Sequence, residues 1–225
     1  MTPLHESYDE PGHFAYAYHL AAERALPDLA TSGRVKYAEA HQPPLYYVLV
    51  SLPMLLLGPP EYTPPRLNEQ DQWRDSVLPL AQVLHRDARE GFEGWGKWAF
   101  YLGRFVSILV GAGNVVLTYH LARLVVDNAR VATTAALLVA FTPMVLYISA
   151  VLNNDGGVAT LATLTLLLTT RVVVRQSLTW RSATAIGLAL GLALLTKRQA
   201  LALVPFVAWA TLLLSVRSRQ HREVL

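Results

Sequence analysis

Asp9-Glu10-Pro11-Gly12-His13-Phe14 sets two adjacent carboxylates and an imidazole near the start of this chain, and Glu39 and His41 follow in Glu39-Ala40-His41-Gln42-Pro43-Pro44-Leu45-Tyr46-Tyr47. A carboxylate beside a nucleophilic hydroxyl can take its proton as it attacks. Two neighbouring carboxylates can also shift each other's ionisation, or hold a divalent cation together with a histidine. Further along stand Arg104, Asp155, Lys197 and Arg198. Cations of this kind suit charge developing on a phosphate. The chain has no cysteine, which excludes disulfides, thiol catalysis and cysteine-type zinc sites. Nothing resembles a phosphate-binding Walker loop or a dinucleotide-binding glycine pattern.

The elements that must position these groups are strongly apolar. Hydrophobic residues make up 53% of the 225 and charged residues 16%, against roughly 25% charged in soluble domains. The charge lies mostly outside the runs Phe100–Val126, Val131–Leu152, Val158–Val174, Ala183–Leu195 and Ala200–Val216. A membrane-crossing helix needs about 20 apolar residues. The first three runs meet this; the last two read as a helical pair separated by the polar break Thr196-Lys197-Arg198-Gln199. Backbone groups in lipid must be satisfied within the segment, so the spans are expected to be helices. The fold class is therefore all-α: a polytopic helical membrane protein with about five transmembrane helices plus external amphipathic or interfacial helices. Met1–Tyr8 carries no apolar signal-peptide region.

Arginines set the expected orientation. Arg123, Arg130, Arg171, Arg175, Arg181, Arg217, Arg219 and Arg222 flank alternate ends of successive spans, and basic residues favour the cytoplasmic side. The opposite, outer face then carries the region before residue 98, the Asn153–Gly157 turn and Thr196–Gln199, with Lys197 and Arg198 opposing the rule. Pro44–Gly58 is too short to cross comfortably and contains Pro53, so it reads as an interfacial or re-entrant helix. Two regions result: 1–98, an external loop region with interfacial helices and the acidic motif, and 99–225, a transmembrane helical domain. Leu67–Arg89 has a partial apolar stripe and predicts a short surface helix. Phe92, Trp95, Trp98 and Tyr101 predict an aromatic belt. Arg104 lies close enough to the outer end of its helix to reach the surface by snorkelling.

These residues carry a resemblance. Asp9-Glu10-x-x-His13-Phe14-x-Tyr16 resembles the acidic motif in the first external loop of GT-C glycosyltransferases. The nearest branch is the family 39-like one of protein O-mannosyltransferases and aminoarabinose transferases. His41-Gln42-Pro43-Pro44-Leu45-Tyr46-Tyr47 is similar to that branch's Pro-Pro-Leu-Tyr element. Gly103-Arg104-Phe105-Val106-Ser107, Asn153-Asn154-Asp155 and Leu195-Thr196-Lys197 follow in the branch's order. The resemblance implies transfer of a sugar from a polyprenyl-phosphate donor to an acceptor hydroxyl, with inversion, at the outer face of the cytoplasmic membrane. It implies Asp9 as general base and Asp155 as a second acidic residue of the cavity. Glu10 would tune Asp9, orient the acceptor or help hold a cation. His41, Arg104, Lys197 and Arg198 are the candidates for sugar or lipid phosphate. The residues fix no cofactor; a divalent cation on Asp9, Glu10 and His13 is the candidate. Expected partners are the lipid-linked donor, membrane lipids and an acceptor glycan, lipid or protein, with no nucleic acid. Family members carry a helix before the acidic loop and further spans beyond, so the chain reads as an amino-terminal portion of such an enzyme without its first helix, or as a gene fragment.

Plainer readings stand beside these. Asp9-Glu10-Pro11 suits the start of a helix, Asn153–Gly157 suits an interhelical turn, and Lys197 and Arg198 suit membrane-surface anchors. His13 and His19 suit packing or surface positions. The rival to an enzyme is a non-catalytic or degenerate membrane subunit that binds polyprenyl lipids or partner proteins. A transporter ranks third, since the ionisable groups cluster at one face and not at mid-membrane.

Overall fold

A computed structural model describes residues 7, 9–28, 39–62 and 94–223. Among them the regular elements are helices: α1 Glu10–Glu23, α2 Leu45–Leu57, α3 Gly96–Val126, α4 Ala129–Ala140, α5 Pro143–Ala150, α6 Asn154–Arg175, α7 Trp180–Thr196, a 3-10 turn Arg198–Ala202 and α8 Leu203–Glu223. The protein is an all-α membrane protein. The expected helix Leu67–Arg89 and Phe92 of the expected belt lie outside the described residues.

Local chemistry sets several boundaries. Pro11 in the first turn of α1 has its φ already suited to a helix, and Glu10 meets the positive end of the helix dipole. α2 starts behind Pro43-Pro44 and stops at Gly58, whose φ of 88° a side chain would resist. At 13 residues it is about 20 Å long, short of a hydrocarbon core of about 30 Å. Thr179 and Ser182 cap α7 reciprocally.

Two helices, α3 and α6, are long and apolar enough to cross a membrane. The run Val131–Leu152, expected as one span, is instead α4 and α5, bent by 59°. Pro143 has no N–H to continue the ladder, and Thr142 turns its hydroxyl back onto the Leu138 carbonyl at 2.6 Å. If the bent pair crosses as one, the candidate spans among the described residues number three. α7 and the Arg198–Leu214 stretch are shorter apolar helices, as is α2. The expected Asn153–Gly157 turn is also narrower, because α6 begins at Asn154 and takes Asp155 into its first turn.

The chain packs as two compact units, Met1–Ile108 with Tyr147–Asn154, and Leu109–Leu146 with Asp155–Leu225. In the first, α1 lies against α2 around Phe14, Tyr47, Val50, Met54, Phe100 and Leu152. Trp95 and Tyr101 pack against this core, whereas Trp98 is exposed. Gly103 makes the packing close: a Cβ there would stand 2.7 Å from Leu152 Cδ2 and 3.0 Å from Val50 Cγ1. In the second unit, Thr160 donates to the Val110 carbonyl at 2.9 Å and Thr163 to Asn114 Oδ1 at 2.7 Å. The second bond gives the Asn114 side-chain oxygen a donor, and the two together join α3 to α6. Val172, Ile186 and Leu214 form a second buried cluster. Outward, Phe105, Leu138, Phe141, Leu188 and Leu212 are exposed, which suits a lipid solvent and not water.

Candidate active site

The first unit ties together four of the sequence motifs. Glu10 is completely buried and Arg104 is 6% exposed. Arg104 grips Glu10 with both prongs, Nε to Oε1 at 2.9 Å and an Nη to Oε2 at 2.8 Å. The Leu152 peptide N–H adds a third donor to Oε1 at 2.9 Å. The guanidinium also lies 5.0 Å from the Phe100 ring centroid, a cation–π distance. A bidentate arginine–carboxylate pair with further hydrogen bonds is the arrangement that makes burial of two charges tolerable. Arg104 therefore does not snorkel to a surface as expected; it closes on Glu10.

Asp9 differs from its neighbour. It is the residue before α1, half-buried, with left-handed backbone at φ 60° and ψ −6°. A capping residue normally has extended backbone that aims its side chain at the first amides. Asp9 does not, and makes no side-chain cap bond. The expected capping role is thus absent. Left-handed aspartate is tolerated but uncommon, and such conformations concentrate at functional sites.

Behind the carboxylates runs a chain of hydroxyls. The Asn153 N–H donates to Tyr46 Oη at 2.9 Å. Tyr46 Oη lies 2.7 Å from Ser107 Oγ, and Ser107 donates to the Gly103 carbonyl at 3.4 Å. Tyr46, accepting from Asn153, has its own proton to give Ser107. Burial raises the Tyr46 phenol far above its ordinary value, more than the bonds to Ser107 and Asn153 lower it, so the hydroxyl stays protonated. Tyr47 Oη meets His13 Nδ1 at 2.8 Å, and its ring stacks on Tyr16 with centroids 3.9 Å apart. Ser7 and Tyr147 join hydroxyls at 2.7 Å. Tyr46, Tyr47 and Ser107 carried no role in the sequence reading. The spacings Gly103 to Ser107 and Arg104 to Ser107 were the available signal, since positions i+4 and i+3 lie over position i on a helix face.

The second unit brings together two other candidates. Lys197, the extended residue that ends α7, forms a salt bridge to Asp155 in the first turn of α6. The Asp155 side chain is 43% exposed and that of Lys197 13%. Arg198 begins the 3-10 turn and is exposed. His41 is exposed in the turn before α2, its Nε2 3.1 Å from the Gln42 amide, while Glu39 is buried.

The suggested cation site on Asp9, Glu10 and His13 is not assembled. Among the described residues no group of three or more His, Cys, Asp or Glu side chains converges to hold a metal. The physical reason is that Glu10 is turned inward onto Arg104 and His13 onto Tyr47.

A buried, hydrogen-bonded ion pair thus stands at the start of an apolar helical body. Residues 96–224, more than half of the chain, match the family of dolichyl-phosphate-mannose-protein mannosyltransferases, and the chain belongs to that family of membrane glycosyltransferases using polyprenyl-phosphate sugar donors. Against curated proteins and against solved structures the chain finds no match.

Proposed function

We propose that this protein transfers a sugar from a polyprenyl-phosphate donor to an acceptor hydroxyl with inversion at the anomeric carbon, and that Asp9 is the general base. The acceptor oxygen forms its bond to the anomeric carbon as the bond from that carbon to the phosphate oxygen breaks. The acceptor proton passes to the Asp9 carboxylate, and the polyprenyl phosphate leaves as the anion. The observation that carries this reading is the division of labour in Asp9-Glu10. Three donors and complete burial commit Glu10 to structure, whereas Asp9 is half-buried and does not cap α1. Glu10 and Arg104 serve as the mount on which Asp9 is held.

Lys197, Arg198 and His41 are assigned to the donor's phosphate and sugar, with Asp155 orienting Lys197 through their salt bridge. The arginine distribution supports an outward-facing site in the cytoplasmic membrane. It also supports an external region, 1–98, followed by the transmembrane domain 99–225. The decisive comparison is mannose release from dolichyl-phosphate mannose to a serine/threonine peptide by the wild type and Asp9→Asn. General-base loss lowers kcat by about 100-fold or more, with the fold intact by circular dichroism. Equal rates in both proteins remove Asp9 as base. An inert wild type that still binds the lipid donor favours the non-catalytic reading.

A further inference from the structure

The bonds of the first unit form a closed circuit. Glu10 binds Arg104 and the Leu152 N–H; the next peptide, Asn153, binds Tyr46; Tyr46 binds Ser107; and Ser107 lies on α3 one turn after Arg104. Three helices and one turn are thus held by groups that each constrain the next. Two consecutive peptide N–H groups, 152 and 153, are gripped by two different side chains, one from α1 and one from α2. A turn held at only one of these peptides can pivot about that one. Hydrogen bonds in such chains also polarise one another, so their loss is felt beyond the deleted pair.

We propose that Tyr46 is a positioning residue for the transfer reaction. Its hydroxyl fixes the Leu152–Asn153 turn, the turn fixes Glu10, and Glu10 fixes the adjacent Asp9. The proposal rests on Asp9 as base, and its test separates the two. Tyr46→Phe keeps the ring and removes the oxygen; Ser107→Ala removes the acceptor of its proton; Ser107→Thr restores that acceptor.

The first measurement is amide hydrogen exchange on the full chain in detergent, which needs no activity. Tyr46→Phe is expected to speed exchange about tenfold at 152–154 and also at the start of α1, as befits loss of one buried hydrogen bond. Faster exchange at 153 alone, with α1 unchanged, overturns the proposal, because the tyrosine then acts only locally. The second measurement is mannose transfer from dolichyl-phosphate mannose to a serine/threonine peptide. Tyr46→Phe and Ser107→Ala are expected to lower kcat about tenfold with KM within twofold, Ser107→Thr to recover most of the rate, and Tyr46→Phe combined with Glu10→Gln to lose much less than the product of the single losses. An unchanged kcat, or independent losses, refutes the positioning role. If the wild type leaves this donor untouched, the transferase reading fails on that donor and the exchange result alone decides the role of Tyr46.

Discussion

Removing Arg104 tests the account of the buried pair most directly. Arg104→Met keeps much of the side-chain volume and its contact with Phe100, but leaves the Glu10 carboxylate buried without its counter-charge. The structure sets the magnitude: Glu10 has no exposed surface, and of its three donors two come from Arg104. Breaking one side of such a pair costs about 3–5 kcal/mol. Replacing both partners, Glu10→Met with Arg104→Met, removes the uncompensated charge and leaves one orphan, the Leu152 N–H, at about 1–3 kcal/mol. The double variant should therefore be more stable than the Arg104 single variant by roughly 1–3 kcal/mol, although it carries one more substitution. Reversible unfolding in mixed micelles, followed by circular dichroism, reads these differences. A single variant within about 1 kcal/mol of wild type, or a double variant destabilised by the sum of its singles, refutes the reasoning.

Gly103→Ala is expected to destabilise by about 1 kcal/mol, because the new methyl meets fully buried Leu152, and the relief from replacing a helical glycine only partly offsets the overpacking. Gly113→Ala, where the nearest atom is 3.7 Å away, should be neutral or stabilising by up to about 1 kcal/mol; the same unfolding assay ranks the two. Lys197→Gln should change stability by less than about 1 kcal/mol, since Asp155 is well exposed, yet raise KM for dolichyl-phosphate mannose about tenfold if it meets the phosphate. Because the chain has no cysteine, Leu56→Cys gives a single label on the outer face of α2, where Leu56 is 82% exposed. In vesicles that cysteine should resist a membrane-impermeant maleimide and react with a lipid-soluble one. Ready labelling by the impermeant reagent would place α2 away from the bilayer.

The helices were legible wherever apolar length decided them. α3 and α6 cover the expected runs because nothing inside those runs breaks an i to i−4 ladder. Val131–Leu152 reads as one span on hydropathy alone, and Pro143, visible in the sequence, is what divides it. The residue types of the site were legible as motifs, but their partners were not. Arg104 in an apolar stretch signals either snorkelling or pairing, and only tertiary contact with a residue 94 positions away selects pairing. Tyr46 and Ser107 look like ordinary packing residues, because a hydroxyl declares its role only through the peptide that it binds. Asp9 looked like a helix cap, and its left-handed backbone, which no spacing encodes, is what denies it that role.

The partners of Glu10 also impose an order on assembly. Its carboxylate closes on one group 94 residues later and on another 142 residues later. During synthesis the acidic loop is therefore complete long before its anchors exist, and Arg104 enters with its helix before the Leu152 peptide is available. Contacts at that separation carry a loop-closure entropy that the i to i−4 bonds of a helix do not. The transmembrane helices can form from local bonds alone, whereas the acidic cluster needs both distant anchors in place. A lesion in the turn at 152–153 would then act first on the yield of correctly assembled enzyme, and only afterwards on the rate of each finished molecule.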